Sequence, residues 1–127
     1  MNATQRRLSD LFADAAYKVG LALSPPDAEP EMDKFLDAVQ AHPEEKEFVL
    51  NMLQTSLLDA TFPWEFIQFC IHELRWSELR EFISRMHCKE INDLRARAIW
   101  EHLLEAFSDD WRDVEFYKKY NSKRSGY

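Results

Sequence analysis

The near absence of glycine is the feature that most constrains how this chain can fold. Among 127 residues, only Gly20 and Gly126 are glycines. Glycine supplies the positive-φ positions that tight hairpins and sharp strand turns require, so a β-sandwich or barrel of this length would be hard to build. The sequence therefore predicts an all-α fold, and apolar residues that recur every three to four positions support the same conclusion.

Apolar stripes divide the chain into about six to seven short helices. In residues 4–23, for example, Leu8, Phe12, Ala15 and Val19 recur at helical spacing, and the fourth helix carries Trp64, Ile67, Ile71 and Leu74. Prolines and capping side chains mark the starts. Further helices are expected at residues 31–41, from Pro43, from Pro63, after a Ser77 cap, at residues 90–107 with Ile91 and Leu94 in the stripe, and after Asp109 or Asp110.

The helices are expected to form one domain over residues 1–120, followed by a polar tail, 121–127, that frays at the end of the chain. The favoured architecture is an irregular helical bundle. Because several helices are short and joined by brief turns, stacked helical hairpins of the α-solenoid kind are the alternative. We find no repeat of fixed period, which favours the bundle.

The charge is negative and unevenly distributed. The net charge is −7, and residues 1–63 contain 11 acidic and 5 basic residues. A broad nucleic-acid interface needs clustered lysine and arginine, so the composition argues against it and favours a basic protein partner. The sequence has no secretory signal, no membrane-spanning apolar segment and no disulfide framework, so we expect a cytoplasmic protein without a membrane partner.

Motifs for catalysis or cofactor binding are not found. Two glycines cannot build a phosphate-binding loop, and the nucleophile and kinase motifs are missing. The best metal candidates are Cys70, His72, His87 and Cys88. Residues one or two positions apart point to different sides of a helix, so these pairs would rarely converge on one ion. We therefore expect no metal, no cofactor and no enzymatic activity.

The most informative segment is residues 27–47, which carries a charge of −6 in 21 residues because only Lys34 and Lys46 oppose its acids. One interpretation is a solvated acidic face, partly explained by the preference of acids for helix starts. The other is a docking surface for a basic protein, or a mimic of nucleic-acid phosphate. Its acidic residues are Asp27, Glu29, Glu31, Asp33, Asp37, Glu44, Glu45 and Glu47.

Two tryptophans are further candidates for partner contact. Trp76 lies in the turn between the fourth and fifth helices, where it would either plug the junction or anchor a partner. Trp111 belongs to a late aromatic run, with Phe116, Tyr117 and Tyr120, that one helix stripe cannot bury completely. Some of these rings are expected to meet a partner or a second copy of the chain, which leaves a homodimer open.

Taken together, these features predict a small acidic binding protein that docks and neutralises or regulates a basic macromolecule. In composition the chain is similar to bacterial immunity proteins and phage-encoded inhibitors, which are small, acidic and helical; no residue motif carries this likeness. A helical adaptor that binds through exposed aromatics is the alternative, since such contacts are apolar and should survive salt, whereas acidic docking should weaken. An enzyme or metal protein without a recognisable motif is the third hypothesis.

Overall fold

The computed structural model describes residues 1–21, 28–59 and 62–108, and these contain α-helices but no strand. The helices are α1 Ala3–Leu21, α2 Glu29–Ala41, α3 Lys46–Leu57, α4 Trp64–Leu74, α5 Ser77–Lys89 and α6 Leu94–Glu105. A 3₁₀ turn, Pro43–Glu45, connects α2 to α3. The expected all-α fold is confirmed. The expected last helix with Trp111 and the tail 121–127 lie outside the described residues.

Helix α4 forms the centre of the molecule. Every residue from Phe66 to His72 is buried, and α4 packs against α1, α2, α3 and α6. A helix that is enclosed on all sides must be apolar around its circumference rather than along one stripe. The single stripe expected for this helix is therefore too narrow: Phe66, Phe69 and Cys70 are fully buried, whereas Trp64 and Leu74 are only half-buried. Because four other helices pack around α4, the fold is a bundle of short helices.

A cluster of phenylalanines joins the first half of the chain to α4. The ring centroid of Phe12 lies 5.2 Å from that of Phe35 and 5.1 Å from that of Phe66. Phe62, just before α4, stacks on Phe12 at 5.4 Å. Such pairs contribute about 0.5–1.5 kcal/mol each beyond the area that they bury. They hold the antiparallel pair α1 and α2 against the central helix.

Several helix starts differ from the expectation. Helix α3 begins at Lys46, because Pro43 lies in the 3₁₀ turn before it. Ser77 does not cap α5, because Trp76 occupies the cap position and the Ser77 hydroxyl donates to Glu78 Oε1 at 3.2 Å. Helix α6 begins at Leu94, because Asp93 accepts a hydrogen bond from the Ala96 N–H at 3.1 Å and caps it there. The preceding turn leaves Ile91 40% exposed, and Leu94 is 71% exposed. The expected start near residue 90 and the core role of both side chains are thus wrong.

Polar contacts join the parallel helices α4 and α6. The buried His72 places Nδ1 3.0 Å from the Ala106 carbonyl oxygen, and since a carbonyl only accepts, Nδ1 carries the hydrogen. Gln68 Nε2 donates to the His102 carbonyl at 3.4 Å. Both side chains of α4 therefore contribute to the packing of α6.

None of the described helices is long and apolar enough to cross a lipid bilayer.

Candidate partner-binding surfaces

The first acidic residue of α2 departs from the expected surface. Glu29 is only 6% exposed. It stands three residues before Met32, which in turn stands one turn before Leu36 on the buried side of the helix. This spacing places Glu29 at the start of the apolar stripe, so its carboxylate adds little to the charge that a partner could meet.

The remaining acids of α2 provide a weaker field than their number implies. Glu31 and Asp33 are half-buried, whereas Asp37 is exposed. Lys34 is exposed three residues before Asp37, which places the two side chains on neighbouring positions of one helix face. The cation offsets part of the negative charge of this face. Asp27 lies outside the described residues.

Two exposed carboxylates lie where the 3₁₀ turn leads into α3, and no lysine in the described residues offsets their charge. Glu44 and Glu47 are exposed, and 65% of the Glu44 side chain is accessible. A backbone hydrogen bond lowers the pKa of Glu44 below its ordinary value, and so does the hydrogen bond that His42 Nδ1 donates to Glu44 Oε1 at 3.0 Å. Glu44 is therefore ionised at neutral pH.

Glu45, between these two, has a structural task. Its Oε2 accepts a hydrogen bond from Asn2 Nδ2 at 3.2 Å, and its Oε1 accepts one from Gln5 Nε2 at 3.1 Å. The carboxylate thereby ties the start of α1 to the 3₁₀ turn. The exposed, uncompensated part of the predicted acidic surface is thus Glu44 and Glu47, and we call this pair the acidic corner.

Trp76 contacts its own chain at the junction of α4 and α5. The Lys46 ammonium lies 5.2 Å from the centroid of the Trp76 ring and 3.0 Å from Glu78 Oε2. The ring is half-buried against the core. These contacts favour the plug interpretation over the partner anchor. Trp111 lies outside the described residues.

The four residues considered as metal ligands lie in different environments. Cys70 is fully buried, and burial raises the pKa of its thiol, with a smaller contribution from Glu73. His72 donates to Ala106, and His87 Nε2 lies 3.2 Å from Glu101 Oε1. Cys88 is exposed. In the three described ranges, no group of three or more histidine, cysteine or acidic side chains could hold a metal ion.

A cavity that the sequence did not indicate opens at the far end of α3. Its volume is about 200 Å³. The cavity lies where α3 ends and α4 and α6 begin, so its lining comes from segments far apart in sequence. The apolar part of the lining is Leu57, Leu58, Phe62, Trp64, Ala96, Ile99 and Trp100. Asp59 and Glu90 also line it.

Similarity to known proteins gives no guide to the role of either surface. No protein-family model matches the chain, and neither a curated protein nor a solved structure matches it at a significant level. What the chain does must therefore be inferred from the acidic corner and the cavity.

Proposed function

We propose that this chain is a small acidic binding protein that docks on a basic macromolecular partner, in the manner of an immunity-type or inhibitor protein, through the acidic corner. The observation that carries the proposal is the exposure of Glu44 and Glu47 where one short turn enters α3. The ionised state of Glu44 adds to it. Exposed charges of one sign attract an oppositely charged partner and raise the rate of encounter.

The alternative of an adaptor that binds through aromatic side chains receives less support. Trp76 is engaged by Lys46 and by the core, so docking on it would require Lys46 to move. The acidic corner requires no such rearrangement, because Glu44 and Glu47 already face water.

The test is affinity capture from the source cells at low and high salt, followed by binding measurements between the captured partner and purified variants. The double substitution Glu44→Lys with Glu47→Lys reverses two charges of the acidic corner and leaves Glu45 to hold α1. Asp10→Lys with Asp14→Lys is the matched control, because both aspartates are exposed on α1. We expect a basic partner whose affinity falls about tenfold or more with the first pair and much less with the second.

Two results would count against this function. One is a partner that binds the Glu44 and Glu47 double variant as tightly as the parent chain. The other is binding that does not weaken as salt rises, because exposed charges are screened over about 10 Å at 0.1 M ionic strength. Salt-resistant binding would instead support the adaptor alternative.

A further inference from the structure

From the cavity at the end of α3, we infer a second binding site that is separate from the acidic corner and takes an alkylammonium group, meaning an ammonium head on a short hydrocarbon stem. Helix α3 has 12 residues, so the acidic corner and the cavity lie about 18 Å apart along its axis. The two sites can therefore be tested independently.

The cavity has the size and lining of a site for a small organic group. An apolar cavity of about 150 Å³ can hold benzene, and this one has about 200 Å³. Trp100, which is 5% exposed, lines it on the buried side, whereas Leu58, which is 60% exposed, lies at the solvent side. The site is thus apolar within and open to water at Leu58, as a group with a hydrocarbon stem requires.

A fixed carboxylate gives the cavity its preference for a cation. Glu90 is half-buried, and its Oε2 accepts a hydrogen bond from the Trp100 indole N–H at 2.9 Å. Among the residues that the structure describes, no lysine or arginine pairs with Glu90. The indole hydrogen bond fixes this carboxylate at the cavity, so a cation that enters gains a charge-assisted partner.

Among the described residues, neither the helix dipoles nor the other side chains of the lining supply an opposing charge. The C-terminal ends of α3 and α5 and the N-terminal starts of α4 and α6 meet at this end of the bundle, so their partial charges roughly cancel. The aromatic rings of Phe62, Trp64 and Trp100 are also surfaces that attract cations.

The chemistry fits both a small free amine and a lysine side chain of another protein. The test therefore uses three probes: butylammonium, 1-butanol as its neutral isostere, and Nα-acetyl-lysine methylamide as a peptide-borne lysine. Binding is followed by the indole N–H resonances of Trp64 and Trp100 in NMR titrations of the full chain. We expect butylammonium, the lysine derivative or both to bind about tenfold more tightly than 1-butanol. The probe that binds identifies the source.

Three variants assign the binding to this cavity. Glu90→Gln keeps an oxygen that accepts from Trp100 and removes the charge, so the preference for the cation should disappear. Glu81→Gln, on the exposed side of α5, removes the same charge elsewhere and should leave it unchanged. Ala96→Leu adds volume to the lining without altering Glu90 and should abolish binding. Equal binding of 1-butanol, no binding of either amine, or cation binding that survives Glu90→Gln or Ala96→Leu would overturn the proposal.

Discussion

Carboxylates stand at both ends of α3, but their surroundings differ. At the start of the helix, Glu44 and Glu47 face water, and they belong to the segment 27–47, in which acidic residues are concentrated. At its end, Glu90 is half-buried beside apolar side chains and bound to the Trp100 indole. Two opposite charges about 4 Å apart interact with roughly 1 kcal/mol in water and several times more near a protein interior. The environment of a carboxylate therefore matters more than the number of acids in its segment.

The largest expected difference in stability between the two ends of α3 concerns Trp100 at one end and Trp76 at the other. Trp100→Ala removes a side chain that is 5% exposed and leaves a hole in the packing of α5 against α6, where Phe82 meets the indole ring. We expect it to lower the free energy of unfolding by about 3–5 kcal/mol. Trp76→Ala at the other end removes a half-buried ring and should cost only about 1–2 kcal/mol. Urea unfolding followed by circular dichroism measures both.

Equal losses in the two tryptophan variants would contradict this comparison. Such a result would mean that the contact of Lys46 with the Trp76 ring at 5.2 Å stabilises the junction as much as full burial stabilises Trp100. The double variant of Lys46→Met with Trp76→Ala would then separate the contribution of the cation from that of packing.

The helical periodicity of apolar residues correctly predicted which side chains of α1 are buried. Leu8, Phe12 and Ala15 are buried as their periodicity requires. The start of α6 was missed because the Asp93 cap competes with a continued apolar pattern, and only the hydrogen bond to Ala96 decides between them. The burial of Glu29 could have been predicted from its distance to Met32, but its charge favoured an exposed position.

The candidate sites were less accessible to sequence reasoning. Of the acids in the predicted surface, Glu44 and Glu47 are exposed neighbours, because residues three positions apart stay close however the chain folds. The cavity could not be predicted, since Leu57, Phe62, Glu90 and Ile99 come together only through the packing of α3, α4 and α6. A sequence motif around Glu90 could have indicated the cavity, but a single glutamate at the end of a helix is not such a motif.

The second difference concerns the hydrogen bonds of the two carboxylates. Glu90→Ala leaves the indole N–H of the buried Trp100 without its acceptor and should lower the free energy of unfolding by about 1–3 kcal/mol. Glu45→Ala removes the bonds from Asn2 and Gln5, which water can replace, and should cost no more than about 1 kcal/mol.

Chemical denaturation of these two variants beside Glu90→Gln measures the difference. Glu90→Gln retains an acceptor oxygen and should lose less stability than Glu90→Ala. If Glu45→Ala is the more damaging of the two alanine variants, the carboxylate in the 3₁₀ turn holds α1 more firmly than its contacts with water-accessible side chains imply. The contrast between the two ends of α3 would then be wrong for stability.

The smallest expected effect is the pH response of the acidic corner. A backbone hydrogen bond and the hydrogen bond from His42 lower the pKa of Glu44 in the folded chain. A carboxyl group whose pKa falls on folding contributes stability above its unfolded pKa, and that contribution is lost as the pH falls through the folded pKa. His42→Ala removes the side-chain hydrogen bond, so the pKa of Glu44 should rise toward its ordinary value while the backbone hydrogen bond keeps part of the shift.

Carboxyl resonances followed by NMR between acidic and neutral pH measure this change, and Glu78 supplies the control in the same spectra. The pKa of Glu78 is lowered by its own backbone hydrogen bond and by Lys46, so it should not respond to His42→Ala. An unchanged pKa of Glu44 in the variant would show that the backbone alone holds the carboxylate ionised. In that case the acidic corner would keep its charge without His42.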